Sequence, residues 1–149
     1  MDIETMNSGI YLKKIWFDKD VVELKIDSSD GNSLFSNKVY VGHKELDDLI
    51  AGLNTFRDHV HGGIYNIKFG AFGPEYANGA FNARLHFQEP GKIYVTVNTQ
   101  SEFQEFGIKS VASEATLYFT TEPVLLDNFI AELRVLRTGL NDEAKLEAA

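Results

Sequence analysis

Residues 38–60 read KVYVGHKELDDLIAGLNTFRDHV, and a change of hydrophobic period inside this stretch decides the fold class. The segment KVYV alternates polar and apolar side chains, as a strand with one buried face does. From His43 to about Val60 the apolar residues recur every three or four positions, which predicts an amphipathic helix. A strand therefore leads directly into a helix. The apolar stripe comprises Leu46, Leu49, Ile50, Leu53, Phe56 and Val60.

Alternating segments on both sides of this unit predict further strands. In the first, Gly9–Phe17, the alternation slips at Lys13-Lys14, which indicates a bulge or an edge strand. A turn is predicted at Asp30-Gly31, because glycine accepts positive φ. The pattern dissolves between Thr99 and Ser113, where we expect a long loop. The other predicted strands are Val21–Asp27, Leu34–Val41, Ile64–Phe69, Phe81–Gln88, Ile93–Thr99 and Ala115–Thr120.

A second amphipathic helix is predicted to start at Thr121-Glu122-Pro123, with the Thr121 hydroxyl as its cap, and to stop at Gly139. Its segment DNFIAEL (127–133) aligns with DDLIAGL (47–53) of the first helix. Each helix also follows an aromatic-bearing strand. A duplicated β–β–α unit would explain this likeness, and so would convergence of amphipathic helices on similar patterns.

The elements together predict an α+β fold in a single domain over residues 1–149. We expect one antiparallel sheet of about six or seven strands with both helices on one face, because most strands alternate and so have one wet face. Residues 1–8 and 140–149 are predicted to be flexible tails, although the latter could add a helical turn.

Composition and charge narrow the class of function. The 149 residues include no cysteine, which excludes disulfides, thiolate metal sites and thiol nucleophiles. The start of the chain has no signal-like pattern and no segment is apolar enough to span a membrane, so we expect a cytoplasmic protein without membrane contact. A net charge of −8 disfavours nucleic-acid binding, since the longest basic run is Lys13-Lys14. The acidity serves either solubility or a basic partner.

Motifs for catalysis, metals or cofactors do not emerge from the sequence. No nucleophile elbow or phosphate-binding glycine motif occurs, and the carboxylate pairs lack an apolar setting that would shift a pKa. His59 and His61 are too isolated for a zinc site and read as a polar helix end. We therefore expect a protein that is not an enzyme, with no metal and no cofactor.

Exposed aromatic residues are the remaining candidates for a binding surface. One group lies in the glycine-rich loop 70–79 and the other in the loop 101–110, where rings alternate with acids. Rings supply contact area and carboxylates supply steering, as protein interfaces require. The alternative is that the rings fold back onto the core. The candidate protein-binding residues are Phe72, Tyr76, Glu102, Phe103, Glu105 and Phe106.

Three segments are similar to a group of small bacterial immunity proteins: KVYVGHKELDDLIAGL (38–53), GKIYVTV (91–97) and LYFTTEPVLLDNFIAELRVL (117–136). The resemblance implies an acidic cytoplasmic protein that neutralises a cognate toxin by occluding its active site. It assigns no contact residue. Two other readings stay open: a homodimeric structural or ligand-binding module, and an enzyme with an unmarked site in a cleft beside loop 70–79.

Overall fold

The computed structural model describes residues 7–73 and 79–149, which form ten strands and two helices. The elements follow one another along the chain as β1 (Gly9–Phe17), β2 (Val21–Ser29), β3 (Leu34–Gly42), α1 (His43–Arg57), β4 (Ile64–Phe69), β5 (Ala80–Glu89), β6 (Lys92–Gln100), β7 (Gln104–Phe106), β8 (Lys109–Val111), β9 (Glu114–Thr121), α2 (Pro123–Thr138) and β10 (Glu143–Glu147). The α+β class is confirmed.

The strands form three antiparallel sheets, so the prediction of one sheet with six or seven strands is wrong. The first sheet has the order β10-β1-β2-β3, the second has the order β4-β5-β6-β9, and β7 and β8 pair only with each other. Helix α1 carries the chain away from β3, so β4 begins a new sheet. Alternation identifies the buried face of a strand but not the strand that it pairs with.

One core lies where the apolar faces of both large sheets meet the apolar stripes of the helices. Leu53 of α1 and Leu133 of α2 have no solvent-exposed area. The Phe56 ring stacks on Phe87 of β5 with 4.9 Å between centroids, which ties α1 to the second sheet. The polar faces of the two large sheets are left outside, where a site can form.

The helix boundaries partly follow the prediction. Helix α1 begins at His43 as predicted, and the Glu45 carboxylate accepts the Gly42 N–H at 3.1 Å. It ends at Arg57 rather than near Val60. The predicted Thr121 cap is wrong: Glu122 is the N-cap and makes no side-chain cap bond. The Thr121 hydroxyl instead donates to the Glu147 carbonyl at 2.7 Å, because β10 lies beside it.

The C-terminal segment is a strand and not the predicted flexible tail or helical turn. Strand β10 pairs with Gly9–Lys13 of β1, and its Ala144 and Leu146 side chains are buried. Burial of these two apolar residues and a full ladder hold the segment in the first sheet. Residues 1–6 of the predicted N-terminal tail lie outside the described residues. The predicted slip in β1 is confirmed as a register shift between Lys14 and Trp16.

Candidate protein-binding site

A small hairpin replaces most of the long loop predicted between β6 and β9. Strands β7 and β8 pair from Gln104 with Val111 to Phe106 with Lys109, and Gly107 turns the chain at a φ of 67°. Because this φ lies in the left-handed region, glycine suits the position. The pair has no other strand neighbour among residues 7–73 and 79–149. Two strands alone are marginal in water, so the hairpin depends on its root.

The root of the hairpin is tied by hydrogen bonds between its two ends. The Ser101 N–H donates to the Ser113 carbonyl at 2.9 Å, and the Ser113 N–H donates to the Ser101 hydroxyl at 2.9 Å. Gln100, which is buried, donates to the Glu114 carboxylate at 2.8 Å and accepts the Gly73 N–H at 3.1 Å. These bonds fix the hairpin at the end of the second sheet.

The tip of the hairpin presents apolar side chains to solvent. Ile108 is fully exposed and Phe106 is 68% exposed. Charged residues of both signs lie beside them, since Glu102, Glu105 and Lys109 are exposed too. Covering an apolar tip with another protein surface is favourable, because the apolar area is then removed from water. Exposed apolar residues surrounded by charged ones are typical of interaction sites.

The predicted binding residues divide between two places. Glu102, Glu105 and Phe106 lie exposed on the hairpin and its approach, while Phe103 is half-buried. Phe72 is 49% exposed and lines a cavity beside the hairpin root, so the structure does not place it at the tip. The sixth predicted residue, Tyr76, lies outside the described residues.

Ile108 is the tip residue that the sequence argument missed. The signal was present in FGIK (106–109), where glycine separates two large apolar residues inside a polar segment. A two-residue hairpin loop places its side chains at the point farthest from the sheet. An aliphatic residue beside a turn glycine is therefore as good a candidate for a binding surface as the aromatic residues.

Lysines from three neighbouring strands form a row on the first sheet, and two of them lie near the hairpin root. Lys13 pairs with Lys25, and Lys25 pairs with Lys38, so the three side chains form one row across the outer face of the first sheet. Directly opposed like charges repel each other. Lys25 and Lys38 also line a cavity of about 180 Å³ together with Glu102. The row brings together lysines that are distant in sequence, with Asp27 at 3.7 Å from Lys25 and Glu143 opposite Lys13.

A second apolar surface lies on the first sheet. Trp16 and Tyr40 are each 48% exposed, and their rings meet edge to face at 6.4 Å between centroids. They face each other across Glu23 of β2. Phe17 and Leu140 add exposed apolar area along a groove at the end of β1.

Metal-ligand clusters and membrane-spanning helices were both looked for in residues 7–73 and 79–149. No group of three or more histidine, aspartate or glutamate side chains there is placed to hold a metal ion. Neither helix is both long and apolar enough to cross a membrane.

Comparisons of the chain with protein-family models, with curated proteins and with solved structures found no match.

Proposed function

We propose that this chain is a protein-binding protein that presents the β7–β8 hairpin to its partner. The single observation that supports the proposal is that two large apolar residues are exposed on one hairpin outside both large sheets: Ile108 fully and Phe106 to 68%. Exposure of two large apolar side chains to water is unfavourable. Their burial against a partner would therefore contribute to the free energy of binding.

The more specific proposal is the one that the sequence resemblance implies: neutralisation of a toxin by occlusion. A projecting hairpin suits this role because it can enter a cleft while the rigid sheets behind it block access. The net charge of −8 favours association with a basic protein. In this proposal the apolar tip contributes most of the affinity, and the nearby carboxylates raise the association rate constant.

The test is co-expression with the toxic domain encoded beside the gene of this chain. Wild-type protein should rescue growth and co-purify with the toxic domain. The double variant Phe106→Ser, Ile108→Ser should lose both, because it removes the apolar tip and leaves the core intact. The control is Ile64→Ser, Val124→Ser, which changes two exposed apolar side chains elsewhere (48% and 57% exposed).

Each outcome decides between forms of the proposal. Loss of rescue in the tip variant with retention in the control supports occlusion by the hairpin. Equal rescue by all three proteins removes the hairpin from the interface. A gene neighbourhood without a toxic domain counts against neutralisation, and leaves protein binding to be tested with other partners.

A homodimer is the second candidate, and the Trp16–Tyr40 pair favours it. These rings are half-exposed on the outer face of the first sheet. A two-fold axis through this face would pack each pair against its copy. Equilibrium sedimentation of wild-type protein and of Trp16→Ser, Tyr40→Ser tests this candidate. A dimer that the double variant converts to monomer supports it, and a wild-type monomer at high concentration rules it out.

We also propose that the two halves descend from one duplicated β–β–α unit. Each helix directly follows an edge strand of a large sheet, β3 before α1 and β9 before α2. The aligned segments DDLIAGL and DNFIAEL lie at similar depths in the two helices. Homologues in which the halves resemble each other more closely would support duplication.

A further inference from the structure

A cavity of about 680 Å³ lies on the outer face of the second sheet, beside the hairpin root. One row of paired residues crosses all four strands at its floor. Lys68 of β4 pairs with Asn82 of β5, Asn82 pairs with Asn98 of β6, and Asn98 pairs with Thr116 of β9. Paired residues in antiparallel strands point to the same face, so these four side chains share the floor.

The composition of this floor is unusual for a sheet. Asparagine is depleted in strands, yet Asn66, Asn82 and Asn98 stand on three neighbouring strands and all line the cavity. Asparagine at these three positions does not favour the stability of the sheet. Three carboxamides line one concave surface, where they can form hydrogen bonds to a molecule that occupies it.

One floor atom is buried without a hydrogen-bond partner among the described residues: the Asn82 side-chain oxygen. A buried acceptor left unpaired destabilises the fold. Its neighbour is better satisfied, since the Thr116 hydroxyl donates to the Asn98 oxygen at 3.0 Å. When the Asn82 carboxamide turns toward the cavity, a ligand hydroxyl can donate to the Asn82 oxygen and give it a partner.

The lining favours a neutral polyhydroxylated ligand. A carboxamide both donates and accepts hydrogen bonds, and so does each hydroxyl of a sugar. Phe72 is 49% exposed on the cavity wall and offers a ring face to the C–H side of a pyranose. Lys68 and Glu114 cancel each other in charge, so the lining has no excess of positive charge for a phosphate or sulfate group.

The size of the cavity agrees with this class of ligand. Small-molecule sites occupy about 300–1,000 Å³, and 680 Å³ leaves room for one or two pyranose rings. We infer that this cavity binds a neutral saccharide, held by Asn82 and Asn98 and covered on one side by Phe72. This site is independent of the proposed hairpin interface.

The experiment is a glycan array probed with the purified full-length chain, followed by calorimetric titration of the strongest neutral glycan. Asn82→Ala and Asn98→Ala should each weaken binding by about five- to tenfold, because each removes a hydrogen bond. Phe72→Ala should also weaken it, because the contact of the ring with the sugar is lost. The matched control is Asn128→Ala, an exposed asparagine on α2. Thermal melting of each variant separates loss of binding from loss of fold.

Binding of a neutral glycan that the three cavity variants weaken and the control leaves unchanged supports the inference. Three results would overturn it: no glycan bound, binding only to sulfated or sialylated glycans, or neutral-glycan binding that the cavity variants do not alter. If a variant fails to fold, side-chain amide signals of Asn82 and Asn98 in NMR titration of the wild type give the answer. Signals that stay in place under saturating glycan would also overturn the site.

Discussion

Arg57 at the end of α1 and Asp127 at the start of α2 form a two-point ion pair, with nitrogen–oxygen distances of 2.7 and 3.1 Å. The same arrangement recurs at the other end of the helix pair, where Arg137 contacts Asp47 at 2.9 and 3.3 Å. Each arginine lies at a helix C-terminus, and each aspartate lies in the first half of its helix. Each arginine therefore also complements the dipole of its own helix, since it lies in the last turn. Side-chain hydrogen bonding to Asp127 raises the pKa of Arg57.

The first prediction concerns these two pairs. Asp127→Asn should lower the thermal midpoint slightly, because the pair is partly solvated, and the reversal Arg57→Asp, Asp127→Arg should recover part of the loss. Added salt should shrink the difference between wild type and Asp127→Asn. Thermal melts at low and high salt provide the measurement. A difference that salt does not change would mean that packing, and not charge, is lost.

The second prediction concerns Asn37 of β3, a buried side chain that joins the two large sheets. Its Nδ2 donates to the Ala80 carbonyl at 3.1 Å and to the Gln100 carbonyl at 2.8 Å. Asn37→Ala should cost about 1–3 kcal/mol in the free energy of unfolding. Asn37→Asp should cost more, because it removes the donor and sets a carboxylate against carbonyl oxygens. Urea unfolding measures both, and an aspartate variant as stable as wild type would contradict the bracing role.

The third prediction reverses a common rule. Glycine to alanine inside a helix usually stabilises by about 0.5–1 kcal/mol. At Gly52 a Cβ would lie 2.5–2.8 Å from the Tyr65 ring and hydroxyl, and overpacking costs about 1–3 kcal/mol. Gly52→Ala should therefore destabilise the wild type but stabilise the Tyr65→Ala variant. Urea unfolding of the four proteins checks the sign change.

The fourth prediction concerns acid. Backbone N–H groups of Asn32 and Ser33 donate to the Asp30 carboxylate at 2.9 and 2.7 Å and hold its pKa below the usual 3.8. Since the folded pKa is below the unfolded one, this stabilisation is present above pH 3.8 and is lost as pH falls through the folded value. Asp30→Asn keeps an acceptor but cannot titrate. As the pH is lowered through this range, the midpoint of thermal unfolding should fall less for Asp30→Asn than for wild type. Equal decreases in the two midpoints would contradict the prediction.

The fifth prediction concerns association with a basic partner. Glu102→Lys, Glu105→Lys should slow association through the hairpin while changing dissociation less, because exposed rim charges act mainly through steering. Raising the salt concentration should slow the wild type toward the variant. Surface plasmon resonance at two salt concentrations measures both rates. Glu143→Lys, Glu147→Lys on β10 is the control with the same change in net charge.

Local structure followed closely from the sequence. The bounds of β1 and β4, the start of α1 and the turn at Asp30 all emerged from period and turn chemistry. These features depend on residues near one another in the chain. The division of the strands into two large sheets depends on pairing between distant segments, which alternation does not encode.

The C-terminal strand shows how tertiary contacts override local preference. The segment EAKLE (143–147) consists of good helix formers, yet it pairs with β1 because Ala144 and Leu146 complete the core there. The cavity floor was equally invisible from the sequence. Lys68, Asn82 and Asn98 are each separated by many residues, and only the strand register brings them into one row.

The placement of β10 has a consequence for how the chain matures. Gly9 lies opposite Glu147 in the first sheet, so one flank of β1 stays uncovered until a segment far along the chain pairs with it. Contacts this distant in sequence slow folding, and a bare strand flank invites aggregation in the meantime. The pairing of β1 with β10 therefore covers this flank only after the strands and helices between them have been made.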